Sequence, residues 1–221
     1  MKIVGIQSSP RGKNSTTLKL LEAAMEGARE SGAETEIIDI TRLKIYYCKG
    51  DISCYKTGCC PQKDDFPEVL EKMLQADGII FSSPNYITNV TAQFKTMLDR
   101  MGNVIHEQRF DGKYGFSITT AGGPELDFII KIMNDFIITS GGNVTGSVGY
   151  SQSQGPAGME TALKKAKEAG KDLAIAINEK RRYPDQEAFH KEWRERFGQS
   201  VKMFKEHWAH NYEYWLEKGW I

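Results

Sequence analysis

The sequence predicts an α/β fold: a doubly wound, five-stranded parallel sheet with helices on both faces, followed by a long C-terminal helix. Three observations predict it. Short apolar runs alternate with stretches of helical periodicity through residues 1–180. The run Gly78-Ile79-Ile80-Phe81 is apolar on both faces, as a central parallel strand must be. The runs starting at Ile3, Gly78 and Tyr114 each end in a loop rich in Ser, Thr, Asn, Gly or Pro.

The first strand is Ile3-Val4-Gly5-Ile6, and the first helix runs from about Ser15 to Arg29, with Gly32 ending it. Thr35 to Ile40 alternates and then turns apolar, giving a second strand. From Thr41 to Asp65 no period holds, and all four cysteines lie there. Asp64-Asp65 opens a helix whose one face carries Val69, Leu70, Met73 and Leu74. The third strand, Gly78 to Phe81, passes through Ser82-Ser83-Pro84-Asn85-Tyr86 into a helix over about Val90 to Met101. Tyr114 to Thr119 is the fourth strand, and a helix from Glu125 to about Ser140 follows, stopped by Gly141-Gly142. Val144 to Tyr150 is a fifth strand interrupted by two glycines, with a helix from Ala157 to about Glu179 after it. Five strands, each followed by a helix, match the flavodoxin-like order 2-1-3-4-5, which places a ligand at the carboxyl ends of the strands, between the first and third. Residues 1–180 form that domain, with the cysteine loop 41–65 inserted after the second strand. Residues 181–221 form an extension.

In the extension, one helix is expected from about Gln186 to Lys218. Phe189, Trp193, Phe197, Val201, Phe204, Trp208, Tyr212 and Trp215 recur along it by three or four, an aromatic stripe on an otherwise charged helix. The doubly wound domain is complete without it, so the stripe needs another surface, its own body or a partner subunit, the partner being preferred. His207 and His210 lie three apart, with no cysteine near them, and read as a solvated pair.

Charge and composition exclude several function classes. Basic and acidic residues balance at 29 each, so no global field favours nucleic acid or an anionic membrane. No apolar run approaches membrane-spanning length, and the chain enters a strand at once without a signal peptide, so a cytoplasmic location is expected. In a reducing compartment, four cysteines within thirteen residues read as metal-binding or redox-active rather than as a disulfide framework.

The loop after the first strand carries the sharpest chemical signal. Ser8-Ser9-Pro10-Arg11-Gly12-Lys13-Asn14-Ser15-Thr16-Thr17 collects hydroxyls, an arginine and backbone N–H groups where a helix dipole is positive. It is neither a P-loop, which needs Gly-x-x-x-x-Gly-Lys-Ser/Thr, nor a dinucleotide fingerprint with three spaced glycines. A hydroxyl-lined loop suits a terminal monophosphate better than a bridging pyrophosphate, which points to FMN rather than NAD, ATP or FAD. An ordinary turn with Asn14 or Ser15 as N-cap would use the same residues.

Ser8-Ser9-Pro10-Arg11 with Asn14 to Thr17, Ser83-Pro84-Asn85-Tyr86, and Val90-Thr91-Ala92-Gln93-Phe94-Lys95-Thr96-Met97-Leu98-Asp99-Arg100 together resemble the NAD(P)H-dependent FMN reductase family. The cysteine loop with Asp64-Asp65 is most similar to its iron–sulfur flavoprotein branch. The resemblance covers roughly residues 1–180. It implies one FMN per subunit, homodimers or homotetramers, and electrons arriving from NAD(P)H or a ferredoxin-type donor. By resemblance, Ser8, Pro10, Arg11, Asn14, Ser15, Thr16 and Thr17 surround the phosphate. Pro84, Asn85, Tyr86 and Ile87 line the isoalloxazine, and Thr119, Thr120, Ala121, Gly122 and Gly123 border its other edge. The flavin carries the chemistry, so no catalytic acid, base or nucleophile is assigned.

That branch holds a [4Fe–4S] cluster on four closely spaced cysteines. Here Cys48 and Cys54 bracket Asp51, which stands at the second ligand position, and Cys60, followed by Pro61, takes the fourth, with Cys59 beside it. The departure leaves a cluster, a Cys3Asp zinc site or no metal all open. The expected function is an FMN-dependent oxidoreductase. The alternatives are a non-enzymatic flavodoxin-like electron carrier and a protein whose thiols sense oxidation.

Overall fold

The computed structural model describes all 221 residues. In chain order its main elements are β1 (Lys2–Gln7), α1 (Thr16–Glu30), β2 (Glu34–Asp39), α2 (Ser53–Thr57), α3 (Phe66–Gln75), β3 (Gly78–Pro84), α4 (Ala92–Arg100) and α5 (Gly102–His106). They continue with β4 (Tyr114–Ala121), α6 (Asp127–Thr139), β5 (Asn143–Ser151), α7 (Gly155–Glu179), α8 (Pro184–Met203) and α9 (Ala209–Glu217). The strands are all parallel, in the order β2-β1-β3-β4-β5.

Alternation along the strands divides the core between the two sheet faces. Val4, Ile6, Ile79 and Phe81 point to one side, where Phe94, Met97, Met133 and Ile137 from α4 and α6 cover them. Ile3, Ile80, Phe116 and Ile118 point to the other, under Leu20, Leu21 and Met25 of α1 and Leu173 of α7. Every residue of β3 and β4 is buried, as the doubly apolar runs require. On the second face α1 and α7 touch backbone to backbone at two glycines. A Cβ at Gly27 would stand 1.9 Å from the Lys167 carbonyl oxygen, and one at Gly170 would stand 1.8 Å from that of Ala24. Only glycine permits this approach.

Two features depart from the sequence reading. The expected C-terminal helix bends at residues 204–208 into the twenty-residue α8 and a shorter α9 that folds back. The bend lets the aromatic stripe turn a corner onto the body: Val201 and Trp215 are fully buried, and Trp215 Nε1 donates to the His106 carbonyl at 2.8 Å. At the start of α8 the Gln186 side chain pairs with both backbone groups of Val144, accepting from N at 2.8 Å and donating to O at 2.9 Å. One amide side chain thus does a strand's work on the open edge of β5. His210 is not part of a solvated pair. Its Nδ1 lies 2.7 Å from Oε1 of fully buried Glu107, a carboxylate 103 positions away that no local pattern could reveal. No helix is long and apolar enough to cross a membrane.

Candidate functional site

The loops after β1, β3 and β4 open together at the carboxyl edge of the sheet, and buried hydroxyls fix how they sit. Ser8 Oγ donates to the Ser82 carbonyl at 2.8 Å, and Ser82 Oγ donates to that of Ile6 at 2.7 Å. Thr119 Oγ1 donates to the Ser83 carbonyl at 2.8 Å, and Thr91, the N-cap of α4, donates to that of Ser8 at 3.0 Å. Thr17 and Thr120 share a 2.6 Å hydroxyl contact that ties the first turn of α1 to the end of β4. A net of side chain-to-backbone bonds therefore sets the spacing of three strand ends before any ligand arrives.

Within this frame lies a cavity of about 110 Å³, lined by Ser9, Arg11, Ser15, Thr16, Thr17, Pro84, Asn85, Tyr86, Thr120, Ala121, Gly122 and Gln152. Ser15 is the N-cap of α1, accepting from Leu18 N at 3.1 Å, so its hydroxyl proton stays free to donate into the cavity. The first amides of α1 have no intrahelical partner, and they add fixed positive potential at the same point. The Asn85 amide nitrogen donates to the Glu125 carbonyl at 3.2 Å, while its buried Oδ1 has no partner.

The other residues expected here sit in the same loops but do not line this cavity. Ser8 and Thr119 are buried with their hydroxyls spent on strand carbonyls, so they shape the site from behind. Pro10 and Asn14 are exposed, and Gly123 lies beyond the lining. Ile87 is 99% exposed at the tip of a tight turn in which Tyr86 and Asn89 exchange backbone hydrogen bonds. Ile87 and Thr88 both have positive φ, 52° and 55°, a costly conformation for β-branched residues. Such strain is concentrated at ligand-facing turns. Sequence reading missed Ser9 and Gln152. Gln152 follows β5 on the same edge, so topology, rather than any motif, was the signal that could have found it.

The cysteine loop hangs from the end of α4. Its base is closed by Arg100 and Asp64, whose side chains are both fully buried and whose NH1–Oδ2 contact is 2.6 Å. Arg100 also donates to the Tyr46 carbonyl at 2.9 Å, and Asp64 accepts from Tyr46 N at 2.8 Å and Phe66 N at 3.2 Å. Arg100 stacks on Phe66, 4.6 Å from its ring centre. Farther along, burial first and then the neighbouring Cys60, Cys48 and Asp51 push the Cys54 thiol up to about 11. Cys59 stands apart, exposed and 3.8 Å from the Thr57 hydroxyl. No group of three or more His, Cys, Asp or Glu side chains converges closely enough to hold a single metal ion as the loop stands.

α4 connects the two regions. Its cap Thr91 is bonded to the loop after β1, and its last residue Arg100 closes the cysteine loop, about 14 Å away at the helical rise.

Comparison with known proteins places this geometry in context. Residues 1–130 match the family model described as NADPH-dependent FMN reductase. An iron–sulfur flavoprotein of Archaeoglobus fulgidus is 37% identical over 224 residues, spanning all of both chains. One from Methanocaldococcus jannaschii is 38% identical over 144 residues, covering 63% of this chain and 74% of its own. Among solved structures, an NAD(P)H:quinone oxidoreductase from Methanothermobacter marburgensis aligns with a TM-score of 0.62 at 23% identity. That alignment covers 78% of this chain and 96% of the other.

Proposed function

The chain belongs to the NADPH-dependent FMN reductase family and is a flavin-dependent oxidoreductase, and from that premise we propose that it takes reducing equivalents from a reduced nicotinamide nucleotide and passes them through FMN to an acceptor. The observation that carries the reading is the cavity at the N-terminus of α1. About 110 Å³ in volume, it is lined by Arg11, Ser15, Thr16 and Thr17 together with Pro84, Asn85, Tyr86 and Gly122, so loop hydroxyls and a guanidinium share one cavity with a flat aromatic partner. The free proton of Ser15, the exposed Arg11 guanidinium and the unpartnered amides of α1 are the donors a monophosphate requires. The orphaned Asn85 Oδ1 is an acceptor awaiting a donor at the same edge. These residues fit FMN. When bound, it supplies hydride acceptance and electron release in single steps, chemistry no side chain here provides. Arg11 and Ser15 bind its phosphate, the Tyr86 turn orients the ring, and the Gly122 backbone borders its far edge.

The cysteine loop is proposed to hold an iron–sulfur cluster, as the names of the relatives suggest for those proteins. The donor set of Cys48, Cys54 and Cys60 with Asp51 fits in chemistry, three thiols and one carboxylate, and a bound cationic cluster would favour the thiolate of Cys54, which burial otherwise keeps protonated.

Anaerobic oxidation of NADH and NADPH with an artificial acceptor tests the first reading: consumption above the background of added free FMN is expected, and none would leave a carrier. Absorbance with iron and sulfide analysis of the anaerobically purified protein tests the second. Cys54→Ser is expected to abolish iron binding while FMN stays at one per chain.

A further inference from the structure

The C-terminal segment does more than cover apolar surface: from its contacts we infer that α9 and the bend before it, with Trp208, form a clamp holding the cysteine helix α2, with Glu107, His210 and Asn211 as positioning residues for Cys54. In its redox consequence this rests on the proposed cluster; the clamp itself stands on the geometry.

α2 has five residues, too few to be stable alone, so external partners must set the direction of Cys54. Those partners come from the chain's far end. Asn211 is fully buried, and its amide nitrogen, oriented by the acceptors around it, lies 3.2 Å from the Tyr55 carbonyl, 2.8 Å from Asn103 Oδ1 and 3.1 Å from Glu107 Oε1. The same Glu107 oxygen lies 2.7 Å from His210 Nδ1. The Tyr55 ring stacks on His106 at 4.3 Å and meets the edge of Trp208 at 5.4 Å. Gly58, which ends α2 with φ of 77°, lies under the His210 ring: a Cβ there would stand 2.3 Å from Nε2.

Packing alone does not account for this arrangement. An apolar contact between α9 and α2 would bury the same surface without the desolvation cost of a carboxylate with no accessible surface, one of whose oxygens accepts no hydrogen bond and has only the Arg109 guanidinium, 3.8 Å away, to balance it. Directional polar groups fix angle and register where apolar side chains allow sliding. Here His210 holds Glu107, Glu107 holds Asn211, and the Asn211 amide reaches the peptide carbonyl of the residue next to Cys54. This is the relation that outer partners bear to metal ligands generally, and removing such partners costs about 10–100-fold in metal retention.

Four variants of the full chain test it: Asn211→Ala, Gly58→Ala, His210→Ala, and His210→Asn, which keeps a donor near the Nδ1 position. FMN content reports that the body is folded. In the iron-loaded protein the first three are expected to lose iron to a chelator at least tenfold faster and to show an altered cluster EPR spectrum, with FMN unchanged. His210→Asn should restore wild-type behaviour. Unaltered iron loss and spectra in Asn211→Ala and Gly58→Ala overturn the clamp. Should the wild-type chain bind no iron, the cluster reading fails separately, and amide hydrogen exchange over residues 53–58 decides. Faster exchange in Asn211→Ala upholds the clamp, and equal exchange overturns it.

Discussion

The carboxyl edge of the sheet and the cysteine loop are built from different materials. At the edge, the positions are set by strands whose own ladders are complete, and short hydroxyl bonds from Ser8, Ser82, Thr91 and Thr119 to backbone carbonyls fine-tune them. The loop from residue 41 to 65 has one short helix and takes its shape from side chains outside it: Arg100 at its base, and Tyr55's aromatic and polar surroundings at its far end. The first arrangement spreads the work over many backbone-anchored bonds, so single substitutions are absorbed. The second concentrates it in a few buried charged or polar groups, where one loss leaves another group unpaired.

The largest expected effect follows from that concentration. Asp64→Ala leaves the Arg100 guanidinium buried without its partner and should cost about 3–5 kcal/mol in urea or thermal unfolding. The paired replacement Asp64→Leu with Arg100→Met removes both charges and should cost much less, and a loss equal to the single variant's would show that the charges themselves carry little. A second test uses pH. Burial pushes the His106 imidazole down to about 4, against an ordinary value near 6.5. The unfolded chain therefore takes up this proton first. The stabilisation is whole above about pH 6.5 and is lost as pH falls toward 4, by about 3 kcal/mol at most. His106→Phe should flatten stability-versus-pH curves in this window while preserving the stack on Tyr55.

The edge should respond more gently. Arg11→Ala removes one exposed charge-assisted bond among several donors, and FMN affinity followed by flavin fluorescence is expected to fall about tenfold, roughly 1.4 kcal/mol. Ser15→Ala deletes the α1 cap and should cost about 1 kcal/mol of stability. If either edge variant proved as damaging as Asp64→Ala, the contrast between the two regions would collapse.

How much of each region could be read from sequence follows the same division. The sheet was legible because burial on both faces leaves continuous apolar runs such as Gly78 to Phe81. The loop from Ser8 to Thr17 was legible because its donors are neighbours in the chain. Gln152 was not, because only the strand order brings it to the same edge. Nor was the clamp: Glu107 and His210 are 103 positions apart, and the bend at residues 204–208 contains neither proline nor glycine to announce it. The stripe's periodicity ran through the bend unbroken, because both helices bury the same kind of residue.

The glycine crossing of α1 and α7 bears on the order of assembly. With Gly27 and Gly170 letting the backbones touch, α1 has no room to tilt, and its N-terminal end is held by packing that needs no ligand. The chain without its flavin should therefore reach the same body as the loaded one, and the cofactor enters last, as a key enters a finished lock.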